Sequence, residues 1–376
     1  MSFRYAAGFN KPGLNTLVAP TGTTTLNLLG WGSNSEGQLG LGNTTDYSSP
    51  NQIGSLSSWS SVNGSSAVFR IAVRTDGTMY AWGANGAGQL GLGDTNNRSS
   101  PVQIGSLTTW LIASGSYNSA FAIKTDGTLW AWGTNNSGNL GLGNRTGYSS
   151  PKQVGSLTNW SNVIGGNGWA VALKTDGTIW TWGYNAYGQS GLGNLTYYSS
   201  PKQVGSLTNW AYLGCGAYHA YAVKTDGTLW GWGWNQYGQL GLGNRTNYSS
   251  PKQIGALTNW LRLGASAYGR FSASIKTNGT LWTWGTNTNG QLGLGNQLYY
   301  SSPKQVGSLT TWSKIATGPN YTMAIKTDGT LWSWGAGASG RLGLGNTTSY
   351  SSPVQVGLTT TWSNIWLSAN ASIGLG

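Results

Sequence analysis

The sequence predicts an all-β chain folded as a seven-bladed β-propeller and closed by its own two ends. Three observations predict it: a Trp-Gly pair recurring seven times at a period of about 50 residues, a hairpin signal in almost every period, and two incomplete end units that complement each other. The period is marked by Trp31, Trp82, Trp132, Trp182, Trp232, Trp284 and Trp334, each followed by a version of Asn-x-x-Gly-Gln-Leu-Gly-Leu-Gly-Asn.

The hairpin is the clearest local element. In Ala120 to Trp132 two alternating runs flank Asp126-Gly127, and the alternation gives each strand one buried face. The Asp-Gly pair reads as a two-residue turn whose two positions both favour positive φ. Two further runs, Lys152 to Val154 and Trp160 to Val163, bring the count to about four strands per unit, the usual content of a propeller blade. No window shows helical periodicity.

The ends decide between an open stack and a ring. The last unit stops at Ser372-Ile-Gly-Leu-Gly376 before its turn and second hairpin strand, and the first begins at Thr25-Leu-Asn-Leu-Leu-Gly-Trp-Gly32 without a first hairpin strand. Joining the two completes one blade and removes both exposed sheet edges, so residues 24 to 376 read as one closed ring. Residues 1 to 23 stand outside the repeat as an extended segment, in which Pro12 and Gly13 oppose regular structure.

Composition narrows the function classes. Sixty-one Gly and 22 Trp with only 7% charged residues describe a packed chain rather than a disordered one. No apolar run approaches the roughly 18 residues of a membrane span, and the first residues lack a secretory apolar core. The single Cys215 excludes internal disulfides and a cysteine-based zinc site.

Catalytic, cofactor and metal residues are not expected. Asp76, Asp126, Asp176, Asp226 and Asp328 all occupy the hairpin turn, and Asn278 replaces the acid in the remaining copy, as a turn tolerates and a metal site does not. Glu36, Asp46 and Asp94 are too scattered to form a paired-carboxylate or metal site. Cys215 and His219 lie four apart in a strand-like segment, which reads as packing rather than as a nucleophile with its base. The repeated Gly-Gln-Leu-Gly-Leu-Gly is better explained by tight turns and blade packing than by phosphate binding.

Trp-Gly-x-Asn-x-x-Gly-Gln-Leu-Gly-Leu-Gly, a proline-containing loop and Ala-Ile-Lys-Thr-Asp-Gly together resemble the repeat of the regulator of chromosome condensation family, whose members form seven-bladed propellers. That resemblance implies the fold and says much less about activity, because function resides in sites grafted onto a fold. The family includes nucleotide-exchange factors that bind chromatin. His219 occupies a position where the family often repeats a histidine, and the other six blades lack it. The uniform blades and the Leu-Thr-x-Trp element look more like the copies found in bacteria and in tailed phages of marine bacteria, and the short leader resembles those that precede such repeats in phage virion proteins.

Nineteen of the tryptophans are locked to the repeat and read as inter-blade packing, whereas Trp169, Trp234 and Trp366 fall outside it and fit a surface contact. Ten of the 20 basic residues are also repeat-locked, and the net charge of +12 forms no stripe or tail, so nucleic acid is not an expected partner. Positions that escape the template are where binding belongs: Trp169, Tyr184, Tyr187, Tyr218, Trp234, Tyr237 and Tyr268 are the expected surface-binding residues, since Tyr and Trp concentrate at interface hot spots and stack on sugars.

In the leader, Phe3, Tyr5, Phe9, Leu14 and Leu17 are the expected partner anchors, since so much apolar surface outside a closed ring would otherwise be adhesive. The expectation is therefore a non-enzymatic phage virion protein, its leader docked on other virion proteins and its propeller facing a neighbour or a host-surface glycan. A bacterial carbohydrate-binding or adhesion propeller, extracellular or in the bacterial cytoplasm, is the alternative. An exchange factor or chromatin-type regulator comes third.

Overall fold

The computed structural model describes residues 27–63, 68–264 and 269–376. The expected anchors Phe3, Tyr5, Phe9, Leu14 and Leu17, and the expected surface residue Tyr268, lie outside these described residues.

Seven four-stranded antiparallel sheets form the blades. Blade 1 combines Asn364–Leu367 and Ala371–Leu375 with Leu28–Gly32 and Tyr47–Gln52. Blades 2 to 7 each use four consecutive strands and span residues 59–103, 110–153, 160–203, 210–253, 260–305 and 312–355. The first strands of successive blades touch one another in an unbroken cycle, so they surround the axis.

Closure occurs in blade 1. Leu28 pairs with Leu375, Gly30 with Ile373 and Gly32 with Ala371, and Asn27 and Gly376 exchange backbone hydrogen bonds of 3.0 and 3.1 Å. The two ends thus supply the strand that each lacks, and no blade is left with a missing partner.

The Trp-Gly tryptophans join the blades. Each is buried, and its indole N–H donates to a backbone carbonyl in the preceding blade: Trp82 to Gln38 at 3.1 Å, Trp132 to Gln89 at 2.9 Å, Trp182 to Asn139 at 2.8 Å, and onward to Trp31, which reaches Arg341 at 3.0 Å. The same indole explains a repeated glycine. A Cβ on Gly91 would come within 2.6 Å of the Trp132 indole nitrogen, so the Leu-Gly-Leu-Gly motif is the seat of the next blade's tryptophan.

The hairpin turn differs from the sequence expectation. Only Gly127 has positive φ, +78°, while Asp126 is absent from the positive-φ residues. Gly127 N–H donates to Lys124 and Lys124 N–H to Thr128, which makes a three-residue loop with a glycine bulge instead of a two-residue turn. The Asp126 carboxylate prefers this form because it accepts from both the Thr128 amide at 2.9 Å and the Thr128 hydroxyl at 2.7 Å. Asn278 makes the same two contacts to Thr280, at 3.2 and 2.7 Å. Its replacement of the acid costs the turn neither bond.

The half-buried tryptophans two residues before Trp-Gly complete that end of the blade. Trp130 donates to Thr128 Oγ1 at 2.9 Å, stands edge-on to Trp110 at 6.0 Å, and lies under the Lys124 ammonium at 4.0 Å. Half of the repeat-locked lysines and arginines are therefore part of the scaffold and not a free basic surface.

Candidate recognition surface

Turns between second and third strands leave one rim of the ring, and the loops between first and second and between third and fourth strands leave the other. On that second rim four positions per blade escape the template. The residue after Trp-Gly is Ser33, Ala84, Thr134, Tyr184, Trp234, Thr286 or Ala336 in blades 1 to 7, and three residues later stand Glu36, Ala87, Ser137, Tyr187, Tyr237, Asn289 or Ser339. The residue before the second strand is Asn370, Val68, Asn118, Gly168, Tyr218, Arg270 or Asn320. The fourth position, before the Ser-Ser-Pro strand, is Asp46, Asn97, Gly147, Tyr197, Asn247, Tyr299 or Ser349. Aromatic residues fill these positions in blades 4, 5 and 6 alone.

They also touch. Tyr184 lies 4.9 Å from Tyr197, 6.3 Å from Tyr187 and 5.6 Å from Tyr218, centroid to centroid. Tyr218 lies 5.1 Å from Tyr187 and 5.9 Å from Trp234; Trp234 is 5.6 Å from Tyr187 and 5.3 Å from Tyr237, which reaches Tyr299 at 6.0 Å. The result is one band crossing three blades. Its geometry repeats: Tyr218 of blade 5 packs over Tyr184 and Tyr187 of blade 4, and Arg270 of blade 6 packs over Trp234 and Tyr237 of blade 5, its guanidinium carbon 5.3 and 5.6 Å from the two rings.

The loops that hold the band are rigid for a sequence-local reason. Asn185 accepts from the Ser190 amide at 2.9 Å and donates to the Asn194 and Thr196 carbonyls, both at 3.0 Å, while Gln189 accepts from the Tyr187 amide at 3.0 Å. Asn235 and Gln239 repeat this frame beneath Trp234 and Tyr237, with the Tyr237 amide donating to Gln239 at 2.9 Å. The Asn-x-x-Gly-Gln frame recurs in blades 1, 2, 4, 5 and 6, with Asn139 for Gln in blade 3 and Gly337 and Arg341 at its ends in blade 7, and where it stands the x positions vary without cost to the loop. Tyr218 is pinned separately by the Asn167 amide, 2.7 Å from its hydroxyl.

Burial raises the Tyr184 hydroxyl to about 12, helped by its hydrogen bond with Tyr197, and burial likewise raises Tyr218. Both stay protonated and able to donate at any physiological pH.

Of the residues expected at the surface, Tyr184, Tyr187, Tyr218, Trp234 and Tyr237 meet in the band. Trp234 is nonetheless mostly covered, at 7% exposure, because Tyr187, Tyr218, Tyr237 and Arg270 surround it. Trp169 is a correction: it is wholly buried and donates to the Ala217 carbonyl at 2.8 Å, so it packs blade 4 against blade 5 and offers nothing to solvent. Trp366 is half-buried against the core between blades 1 and 2. Sequence reading missed Arg270 and Tyr299. Placing the blades in register finds both, since Arg270 shares a template position with Tyr218 and Tyr299 with Tyr197.

The remaining polar candidates lie in the core. Cys215 and His219 are both buried; burial pushes the thiol up and the imidazole down to about 3, and the thiol meets the Gly165 carbonyl at 3.5 Å. Among the described residues no three His, Cys, Asp or Glu side chains converge as a metal site would need, and no helix is long and apolar enough to cross a membrane.

Comparison with known proteins agrees with this architecture. The model of the "Regulator of chromosome condensation (RCC1) repeat" matches residues 27–66, 76–122, 126–173, 176–223, 226–268, 278–325 and 328–365. Among curated proteins, the human probable E3 ubiquitin-protein ligase HERC3 is 38% identical over 21% of this chain and 8% of its own length, and the Arabidopsis thaliana ultraviolet-B receptor UVR8 is 39% identical over 20% and 17%. The chain thus spans under a fifth of the length of these relatives. Among solved structures, yeast RCC1 (Prp20) bound to Kap60 superposes with a TM-score of 0.84 at 21% identity, covering 94% of this chain and 89% of Prp20. Human WBSCR16 gives 0.81 at 20% identity over 93% and 98%. With one repeat matched in each of seven successive segments, the chain belongs to the regulator of chromosome condensation (RCC1) repeat family.

Proposed function

We propose that this chain is a non-enzymatic attachment propeller that holds its partner on the aromatic band of blades 4 to 6. The supporting observation is that the four variable rim positions are aromatic in three adjacent blades alone, where those residues form one contact network. Independent drift of exposed loops would scatter such residues around the ring. Large, half-buried rings fixed on a rigid frame bind with little loss of side-chain entropy, which is why Tyr and Trp dominate interface hot spots.

The setting we propose is the phage virion, with the N-terminal segment as tether to other virion proteins. The uniform blades and apolar leader support it through their resemblance to tailed-phage repeat proteins. The likeness to Prp20 carries the fold and no activity.

Particles carrying the Tyr187→Ser/Tyr237→Ser variant should adsorb at least about tenfold more weakly to host cells, with the chain still folded and at normal occupancy. Deleting residues 1 to 20 should instead leave melting nearly unchanged and remove the chain from the particle. Unchanged adsorption would overturn the band as the contact surface, and normal occupancy of the truncated chain would overturn the tether.

A further inference from the structure

We infer that the occupant of the aromatic band is an acidic glycan, its sugar rings lying on the tyrosines and its carboxylate or sulfate on Arg270. This inference rests on the band being the attachment surface.

Arg270 is the single cation within the band, and it repeats on this rim the way Lys124 lies over Trp110 and Trp130, a cation held on two rings. The described residues contain two salt bridges, Arg74 with Asp76 and Arg98 with Asp94, both in blade 2. Arg270 is exposed and is held by stacking on Trp234 and Tyr237, with a 3.5 Å hydrogen bond to the Tyr237 hydroxyl. That contact uses one edge of the guanidinium. The planar fork, oriented in advance by two rings, is suited to bidentate capture of an oxyanion.

The charge layout of the ring points the same way. Five of the eight acidic residues, Asp76, Asp126, Asp176, Asp226 and Asp328, sit in the hairpin turns on the opposite rim, and Glu36, Asp46 and Asp94 belong to blades 1 and 2. The loops of blades 4 to 6 on the band's rim therefore contain no acid at all, while Arg245 and Arg270 lie among them. An anionic ligand meets no repulsion there and a net charge of +12 behind it.

The remaining chemistry selects a sugar as the carrier of that anion. Tyr184, Tyr187, Tyr218 and Tyr237 each combine a ring face with a hydroxyl, so the band alternates apolar contact and hydrogen bonding over its length. A pyranose chain has the matching pattern of C–H faces and ring hydroxyls. The Tyr184 and Tyr218 hydroxyls stay protonated and donate to such acceptors at any pH the ligand would meet.

The test measures binding of the full-length chain to immobilised polygalacturonate, dextran sulfate and unmodified dextran, at two salt concentrations. Wild type should bind at least one acidic polymer about tenfold more tightly than dextran, and Arg270→Gln should remove that preference. Arg145→Gln takes the same charge from an exposed position in blade 3 and should leave it intact. Preference for polygalacturonate or for dextran sulfate identifies the anion as carboxylate or sulfate. A preference that falls equally in both arginine variants would mean bulk charge alone and would overturn the inference. So would failure to bind any glycan. In that case, loss of host adsorption in Tyr187→Ser/Tyr237→Ser would keep the band with a protein partner, whereas normal adsorption would remove the band as well.

Discussion

At the residue scale, this chain shows how repetition separates scaffold from exception. Lys314 is such an exception: the equivalent inner-strand positions are Ser61, Ile112, Asn162, Tyr212, Arg262 and Asn364. Its ammonium donates to the Ser363 carbonyl in the next blade, yet burial, with repulsion from Arg262, lowers its pKa from 10.5 to about 8. A cation with a depressed folded pKa costs stability while it is charged in both states, and the cost fades as pH rises through that range. Lys314→Met should therefore stabilise the ring at pH 7 by about 1–2 kcal/mol, with the gain shrinking above pH 8 and gone near pH 10.5. Denaturant titrations at pH 7 and pH 10 check this; a gain that grows with pH would contradict it.

At the scale of the element, the hairpin is legible in sequence because its determinants are local. Asp and Gly three bonds apart specify a turn whatever surrounds them. What the local signal misses is the exact loop, because the Asp126 contact with Thr128 competes with the two-residue turn and wins. Gly127→Ala should destabilise the protein by about 2 kcal/mol or more, since a Cβ there faces both the positive φ and the Thr158 carbonyl at 2.1 Å. Asn278→Asp should change stability by less than about 0.5 kcal/mol, because Asp makes the same contacts in five other blades. Thermal melts of the two variants give the comparison, and equal effects would show that the turn is not the determinant.

For the whole molecule, stability depends on the seam. Every other blade is built from consecutive strands, whereas blade 1 holds its two halves together through the pairing of Leu28–Gly32 with Ala371–Leu375. Deleting residues 371–376 removes that pairing and the buried Ile373 with it, exposes two sheet edges and uncovers Leu28 and Trp31. The truncated chain should lose its cooperative melting transition and associate through the open edges, as read by size-exclusion chromatography. A monomer with the wild-type transition would mean that the other six blades hold the ring without closure.

Sequence by itself determined the number of blades, the hairpins and the closing blade. Those features depend on burial patterns and turn residues that recur every blade, so each copy reinforces the reading of the others. It also marked Tyr184, Tyr187, Tyr218, Trp234 and Tyr237 as exceptions to the template. Tertiary structure alone decided which exceptions meet and which are buried. Tyr218 reaches Tyr187 and Arg270 reaches Trp234 only because each blade lays its second-strand lead-in over the loop of the blade before. Trp169 turns inward because the same blade contact presents it with the Ala217 carbonyl. Contacts between blades join residues about one repeat apart, and their geometry is set by the curvature of the closed ring, which no window of sequence contains.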